Sequence, residues 1–157
     1  MEYIKCKFRD ITYPVGDNII YNLPIIKDMG KKIKSVLIKE KIPFDKRINL
    51  ICSGSSGAII AAIISTILCK QYKEINIYHI KKNNEKSHSD GYKGSDFIGY
   101  NIVVDDLIST GKTMFHIFDN IYKSIIDLVC VSYIEDSHQY EIRDYFISKG
   151  VKFLLNN

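Results

Sequence analysis

The stretch Ile102–Met114, IVVDDLISTGKTM, decides the fold class of this chain. Its first three residues are apolar and β-branched, which is typical of a strand buried on both faces of a parallel sheet. Two adjacent carboxylates, Asp105 and Asp106, follow, and a Ser/Thr/Gly turn then leads into a helical pattern from Lys112. The stretch therefore predicts a strand, a polar turn and a helix, which is the repeating unit of an α/β protein.

The same alternation of strand and helix extends in both directions from this stretch. A helix with apolar residues at helical spacing is predicted to begin at Pro24 and to end before Pro43. The predicted strands are Ile48–Cys52, Ile75–Ile80, Tyr100–Val104, Ile126–Tyr133 and Val151–Leu155. The other predicted helices are Ala58–Gln71, Lys112–Lys123 and Gln139–Lys149. The pattern predicts a parallel sheet of about five strands with helices on both faces.

Length and composition fit one globular domain that spans residues 1–157. The chain is 46% hydrophobic and 25% charged, which excludes a disordered protein. The longest uncharged run, Ile48–Cys69, is broken by serines and glycines at 53–57, so it does not predict a membrane span. Charges in the first ten residues disfavour a signal peptide, and we expect a cytoplasmic protein.

Cysteine spacing and charge disfavour a zinc site and a nucleic-acid protein. The four cysteines, Cys6, Cys52, Cys69 and Cys130, form no C-x-x-C pair, so buried thiols in a reducing compartment are the favoured interpretation. Eight of the basic residues lie between Lys27 and Arg47, and such a cluster can attract an anion or a nucleic acid backbone. A solvated helix face is the favoured interpretation, because 19 lysines and 3 arginines suit base recognition poorly.

The residues after the strand at 102–104 have the chemistry of a ribose phosphate site. Ligands of open parallel sheets bind beyond the carboxyl ends of the strands. Backbone NH groups at a helix start, with the hydroxyls of Ser109, Thr110 and Thr113, form a phosphate cradle. Asp105 and Asp106 can accept hydrogen bonds from a vicinal diol. A Walker A loop is excluded, because that pattern needs glycine where Asp106 stands, and a capping turn explains only one carboxylate.

The stretch Ile102–Met114 resembles the phosphoribosyl pyrophosphate (PRPP) motif of the type I phosphoribosyltransferases over some ten positions, and the resemblance covers about Ile48–Leu155. It implies a five-stranded parallel sheet, PRPP as substrate with Mg²⁺, and transfer of the phosphoribosyl group to a nitrogenous base with release of pyrophosphate. It also implies that Asp105 and Asp106 hold the ribose hydroxyls and contact Mg²⁺ mostly through PRPP. The residues implied for the 5-phosphate are Ser109, Thr110, Gly111, Lys112 and Thr113.

A second small-residue turn follows the strand Ile48–Cys52. Taken alone, it is explained equally well by a tight turn between a strand and a helix. In the family, the loop after the first core strand binds pyrophosphate, which implies the same role here for Ser53, Gly54, Ser55, Ser56 and Gly57. Many relatives have a basic residue at the position of Ser56, so the positive charge for pyrophosphate must come from elsewhere.

Residues 81–98, KKNNEKSHSDGYKGSDFI, form a polar connection that is long for a compact domain. A solvated loop explains the composition, but the equivalent family loop closes over PRPP as a lid. Lys86–Gly91 resembles the loop of the orotate enzymes, although a second lysine of that pattern falls on Asn83. The resemblance implies that Lys86 and His88 act on the departing pyrophosphate. The other lid lysines are Lys81, Lys82 and Lys93.

The acceptor base is left open, because the resemblances conflict. The 6-oxopurine enzymes usually have an acidic residue at the position of Ser109, which disfavours a 6-oxopurine base. Lys112 and Met114 nevertheless resemble the 6-oxopurine enzymes, and Asp105–Leu107 resembles the adenine enzymes. Residues 1–24 are expected to form a small hood that contributes to the base site. A PRPP-sensing regulator of the same fold is the alternative function. The expected partners are PRPP, a nucleobase or related nitrogenous base, and a second copy of the chain in a homodimer.

Overall fold

A computed structural model of the chain describes residues 5–8, 11–14, 23–81, 97–108, 110–121, 125–134 and 139–155. The strands in these ranges are β1 (Lys5–Phe8), β2 (Ile11–Pro14), β3 (Ile48–Cys52), β4 (Ile75–His79), β5 (Tyr100–Ile108), β6 (Leu128–Ile134) and β7 (Lys152–Leu155). The helices are α1 (Leu23–Lys39), α2 (Gly54–Leu68), α3 (Lys112–Asn120) and α4 (Gln139–Ser148). The alternation predicted from the sequence is confirmed.

Strands β3 to β7 form one parallel sheet in the order β4-β3-β5-β6-β7. The predicted parallel sheet of five strands is therefore confirmed. Strand β4 pairs with one side of β3, and β5 pairs with the other side, from Ile48↔Tyr100 to Ile51↔Val103. The strand order reverses between β3 and β5, and such a reversal opens a crevice at the carboxyl ends of the two strands.

Helices cover both faces of the sheet, as the continuously apolar strands predicted. Neighbouring residues of β3 serve opposite faces, because strand side chains alternate. Leu50 packs in a core with buried residues of α1 and α2, and Ile51 packs in a second core with α3 and α4. All five residues of β3 are buried. This central strand therefore fixes the position of the turn that follows it.

Strands β1 and β2 pair antiparallel, from Lys5↔Pro14 to Phe8↔Ile11. They lie within the expected hood, residues 1–24, most of which falls outside the described residues, so its contribution to a base site stays a prediction. Among the described helices, none is long and apolar enough to cross a membrane.

The structure corrects the predicted position of the two carboxylates. Asp105 and Asp106 lie within β5 rather than after it, because β5 runs to Ile108 instead of ending at Val104. The extension follows from strand pairing, since β5 remains in register with β6 as far as Ile108↔Ile134. The carboxylates are thus held by a paired strand near its carboxyl end.

The second correction concerns α2, which begins at Gly54 rather than at Ala58. The predicted pyrophosphate loop is therefore the N-cap, Ser53, and the first turn of α2. Gly54 has a φ of +71°, which a side chain would oppose. This glycine lets the chain pass from a buried strand directly into a helix.

Candidate functional site

The candidate site lies at the carboxyl edge of the sheet, where β3 and β5 are neighbours. Each of these strands is followed by a helix, and the parallel pairing brings the starts of α2 and α3 to the same edge. Unpaired NH groups and the helix dipole make a helix start attractive to anions. The topology therefore brings the residues predicted for pyrophosphate, at the start of α2, to the same edge as the residues predicted for the 5-phosphate, at the start of α3.

The turn from β3 into α2 presents small polar side chains. Ser53 is 3% exposed, and its hydroxyl donates a hydrogen bond of 2.7 Å to the carbonyl of Ile80. Because the Ser53 hydroxyl is used there, it does not cap α2. Ser55 and Ser56 are exposed in the first turn, which has no acidic residue. An anion at this turn would meet backbone NH groups and serine hydroxyls.

Asp105 and Asp106 differ in exposure. Asp105 is buried, 5% exposed, whereas Asp106 is partly exposed. Oδ1 of Asp105 accepts a 3.0 Å hydrogen bond from the backbone NH of Asp106. Oδ1 of Asp106 accepts a bond of the same length from the backbone NH of Leu107. The second carboxylate is therefore the more accessible of the two to a ligand.

Asp105 lies against the first turn of α2. A Cβ built on Gly57 would stand 3.8 Å from Oδ1 of Asp105 and 3.2 Å from Cβ of Cys52. Burial raises the pKa of the Cys52 thiol to about 12, and the charge of Asp105 adds to the shift. The neutral thiol of Cys52 and the missing side chain of Gly57 thus leave room for the Asp105 carboxylate beside the first turn of α2.

The turn from β5 into α3 contains the predicted phosphate residues. Thr110 and Lys112 are exposed, and Thr113 is partly exposed. Gly111 is the N-cap of α3 and is buried, with a φ of +73°. The positive φ favours glycine, and a Cβ on Gly111 would crowd the Phe115 ring at 3.0 Å. Ser109, the remaining residue predicted to bind the 5-phosphate, lies outside the described residues.

The predicted lid is described only at its two ends. Lys81 is partly buried, and its carbonyl accepts a 2.9 Å hydrogen bond from Nε2 of His116 on α3. At the other end, the carbonyl of Phe97 accepts a 3.1 Å bond from the amide of Asn101. The Phe97 ring packs edge-on against Tyr78 at 4.9 Å. Lys82, Lys86, His88 and Lys93 fall outside the described residues, so their roles stay predictions.

Some contacts that hold the described elements together have no sequence signal. His116 lies 35 residues from its partner Lys81, and nothing in a helical pattern marks it as an anchor. Asn101 of β5 shares a 2.7 Å hydrogen bond with Asn49 of β3, whose amide also donates to the carbonyl of Ile98. The register of buried strands creates these pairs, so they follow from the structure alone.

A metal would need carboxylate oxygens at this edge. Within the described residues, no three His, Cys, Asp or Glu side chains form a cluster that could hold an ion. Mg²⁺ is commonly bound by one or two carboxylates together with the phosphates of a substrate. Asp106, partly exposed, fits that mode of binding better than the buried Asp105.

Comparison with known proteins identifies the fold. No protein-family model and no curated protein matches the sequence. An adenine phosphoribosyltransferase resembles the structure with a TM-score of 0.56 at 13% identity, over 88% of this chain and 84% of that chain. The adenine phosphoribosyl transferase of Trypanosoma brucei, in complex with AMP, pyrophosphate and ribose-5-phosphate, gives 0.60 at 14%, over 98% and 73%. Orotate phosphoribosyltransferase from Aeropyrum pernix gives 0.53 at 14%, over 88% and 70%.

The chain has the type I phosphoribosyltransferase fold. This confirms the fold implied by the motif at Ile102–Met114. The resemblance extends beyond the core predicted from the sequence, since it covers 98% of the chain in one comparison. In this phosphoribosyltransferase fold, the carboxyl edge of β3 and β5 is the place where the predicted ligand groups meet.

Proposed function

We propose that this chain is a phosphoribosyltransferase that moves the 5-phosphoribosyl group of PRPP to a nitrogenous base and releases pyrophosphate. The observation that carries the proposal is the meeting of two helix starts and the Asp105–Asp106 pair at one edge of the sheet. PRPP has a phosphate at one end, a diphosphate at the other and a diol between them. The edge presents two helix starts beside the carboxylates of β5, and this arrangement supports the proposal.

The two carboxylates take different roles in this proposal. Asp106 is partly exposed and accepts hydrogen bonds from the ribose hydroxyls. Asp105 is buried beside Gly57 and Cys52, so it acts as a positioning residue that relates β5 to the start of α2. The turn Ser109–Thr113 binds the 5-phosphate, and the turn Ser53–Gly57 binds the pyrophosphate.

The reaction exchanges one bond at C1 of the ribose for another. The bond from C1 to the pyrophosphate oxygen breaks, and pyrophosphate leaves with the electron pair. A ring nitrogen of the base forms the new bond to C1 and loses its proton to solvent or to a basic group. Positive charge grows on the sugar and negative charge on the leaving group, so the site must stabilise pyrophosphate.

Stabilisation of pyrophosphate comes from three sources. The first turn of α2 offers NH groups but no basic side chain, since Ser55 and Ser56 are the exposed residues there. Lys86 and His88 supply positive charge and a proton donor. Asp106 would be the protein contact of a Mg²⁺ ion held mainly by PRPP, and the ion would neutralise further charge on the phosphates.

A nucleobase panel tests the proposal. The protein is incubated with PRPP, Mg²⁺ and, separately, adenine, guanine, hypoxanthine and orotate, and nucleotide and pyrophosphate are both measured. Transfer to at least one base is expected, and hypoxanthine is not expected to be best, because serine at 109 cannot act as a base at neutral pH. Absence of nucleotide with every base, from a protein that still binds PRPP, would refute the transferase proposal.

That outcome would favour the second candidate, a PRPP-sensing regulator. Its supporting observation is the uncharged first turn of α2, which lacks a cation for the leaving group. A sensor needs the diol and phosphate contacts without turnover. Equilibrium binding of PRPP without pyrophosphate release distinguishes the two functions.

A further inference from the structure

The strongest charge asymmetry of the chain lies away from the candidate site. Residues 23–47 contain eight basic and three acidic residues, a net charge of +5, whereas the whole chain carries +4. Two of the three acids are neutralised locally, since Asp28 pairs with Lys32 and Glu40 pairs with Lys152. Asp45 is the one acid of this segment without an ion pair to a described residue. The segment therefore produces a strong positive field.

Part of this charge forms a stripe along α1. Lys27, Lys31 and Lys34 fall within an arc of about 60° on the helix, at 100° per residue. None of the three makes an ion pair with a described residue, and like charges at this spacing repel and weaken a helix. The stripe thus lowers helix stability, and its free charges are available to an anion.

Lys41 continues the positive charge beyond the end of α1, in a conformation that does not favour lysine. The backbone NH of Lys41 donates a hydrogen bond to the carbonyl of Ile38, and the NH of Ile42 donates one to the carbonyl of Leu37. Both bonds are 2.9 Å long. This pattern closes a helix with a left-handed residue, which is usually glycine. Lys41 has a φ of 56° and is the one non-glycine residue with positive φ among those described. A lysine therefore stands where glycine would be more stable.

An exposed aromatic ring follows three residues later. Phe44 is 56% exposed, and its ring meets the edge of buried Tyr72 at 5.8 Å. The carbonyl of Phe44 accepts a 3.0 Å bond from the NH of Lys73, so a second lysine-bearing loop is fixed beside it. Lys46 and Lys73 are both exposed. An exposed ring that packs on Tyr72, in a loop that also carries exposed Lys46 and is bonded to the loop of Lys73, has the features of a stacking platform for a base.

We propose that this basic surface binds the backbone of single-stranded nucleic acid, with one base stacked on Phe44. The basic surface is defined as Lys27, Lys31, Lys34, Lys41, Phe44, Lys46 and Lys73. Lysines bind phosphates as point charges without reading bases, and an exposed aromatic ring stacks any unpaired base. Duplex nucleic acid offers no free base for Phe44.

Two features separate this surface from other partners and from the candidate site. The apolar face of α1, including Ile26 and Leu37, is buried in the core, so α1 cannot insert that face into a lipid surface. The loops that carry Phe44 and Lys73 lead into the amino ends of β3 and β4. The PRPP site is proposed at the carboxyl ends, so the part of the basic surface that carries Phe44 and Lys73 lies at the opposite edge of the sheet.

The test is fluorescence anisotropy with a labelled oligouridylate of about 15 nucleotides, titrated at several salt concentrations. The variants are Lys41→Gly, Phe44→Leu and the triple replacement of Lys27, Lys31 and Lys34 by glutamine. Lys149→Gln, an exposed lysine at the end of α4, is the matched control. Lys41→Gly is informative because glycine suits the backbone there, so weaker binding cannot be attributed to misfolding.

The triple variant should bind at least tenfold more weakly, and the slope of log affinity against log salt should fall by about two, at about 0.7 per lost phosphate contact. Phe44→Leu should weaken binding about fivefold or more with the slope unchanged, because stacking releases no counterions. Lys41→Gly should raise the thermal midpoint while weakening binding. Lys149→Gln should bind like the wild type.

Equal affinity of all variants would overturn the proposal. So would tighter binding of a duplex of the same length, or binding to phosphatidylserine vesicles by a protein that leaves the oligouridylate free. PRPP binding, measured on the same variants, should be unchanged. A loss of oligouridylate binding is thereby separated from a failure of the proposed transferase.

Discussion

A Cβ added to Gly57 would lie 3.8 Å from Oδ1 of Asp105, which places the start of α2 directly against the carboxylate of β5. The same Cβ would lie 3.2 Å from Cβ of Cys52, tighter than ordinary contact. The turn after β3 and the end of β5 are therefore in van der Waals reach of each other.

The first prediction concerns Gly57→Ala. We expect kcat/KM for PRPP to fall about tenfold, corresponding to about 1.4 kcal/mol, because the methyl group would crowd Cβ of Cys52 at 3.2 Å and shift the start of α2 relative to Asp105. The thermal midpoint should change little, since the gain in helix propensity of about 1 kcal/mol offsets the crowding. Gly30→Ala in α1 is the control, because its close neighbour is the flexible end of Ile67. Equal activity of both variants would contradict the proposed coupling.

The second prediction uses two glycines with nearly the same backbone conformation. Gly111 and Gly150 have φ values of +73° and +75°, and alanine at either should cost about 1–2 kcal/mol of stability. A Cβ at Gly111 meets Phe115 at 3.0 Å, whereas a Cβ at Gly150 has no atom within 4 Å. Gly111→Ala should also weaken PRPP binding, and Gly150→Ala should not. Calorimetric titration with PRPP checks both, and equal binding losses would reject the phosphate turn.

The third prediction is a loss of stability in alkali. Burial raises the pKa of the thiols of Cys52 and Cys130 to about 12 from a usual value of 9.0. Both thiols stay protonated in the folded state above pH 9, while the unfolded chain ionises, so stability falls between about pH 9 and 12. The expected slope is about 1 kcal/mol per pH unit for each thiol.

Urea unfolding at pH 8 and pH 10.5, under reducing conditions, measures this slope. A variant with Cys52→Ala and Cys130→Ala should lose less stability between the two pH values than the wild type. Identical pH dependence of the two proteins would show that these thiols ionise normally.

The fourth prediction concerns Lys86, which the resemblance to orotate enzymes assigns to the leaving group. Lys86→Ala should lower kcat more than it weakens PRPP binding, because contact with departing pyrophosphate strengthens in the transition state. Single-turnover rates and PRPP titrations separate the two effects. Lys93→Ala, in the same segment, is expected to have a smaller effect on kcat. Unchanged kcat in Lys86→Ala would remove this lysine from the mechanism.

The sequence predicted the fold because its signals are local. The apolar run at 102–104 and the break at 109–111 define a buried strand and a turn without reference to distant residues. The difference in burial between Asp105 and Asp106 could not be predicted. It depends on how far β5 pairs with β6 and on the missing side chain of Gly57, which is distant in sequence.

The same reason explains why the sequence alone favours a solvated helix face for the lysines of residues 27–47. Counting lysines gives the charge, but the value of φ at Lys41 and the exposure of Phe44 appear only in three dimensions. The buried pair Asn49 and Asn101 likewise depends on strand register. Interactions between elements, rather than within them, are what the sequence leaves undetermined.

Asp106→Asn tests the central claim most directly, because Asp106 is partly exposed at the proposed ribose site and its replacement keeps shape and size. Calorimetric titration with PRPP and Mg²⁺ should show binding at least tenfold weaker than wild type, with a thermal midpoint within about two degrees of it. Binding of PRPP by a well-folded Asp106→Asn protein with wild-type affinity would contradict the account.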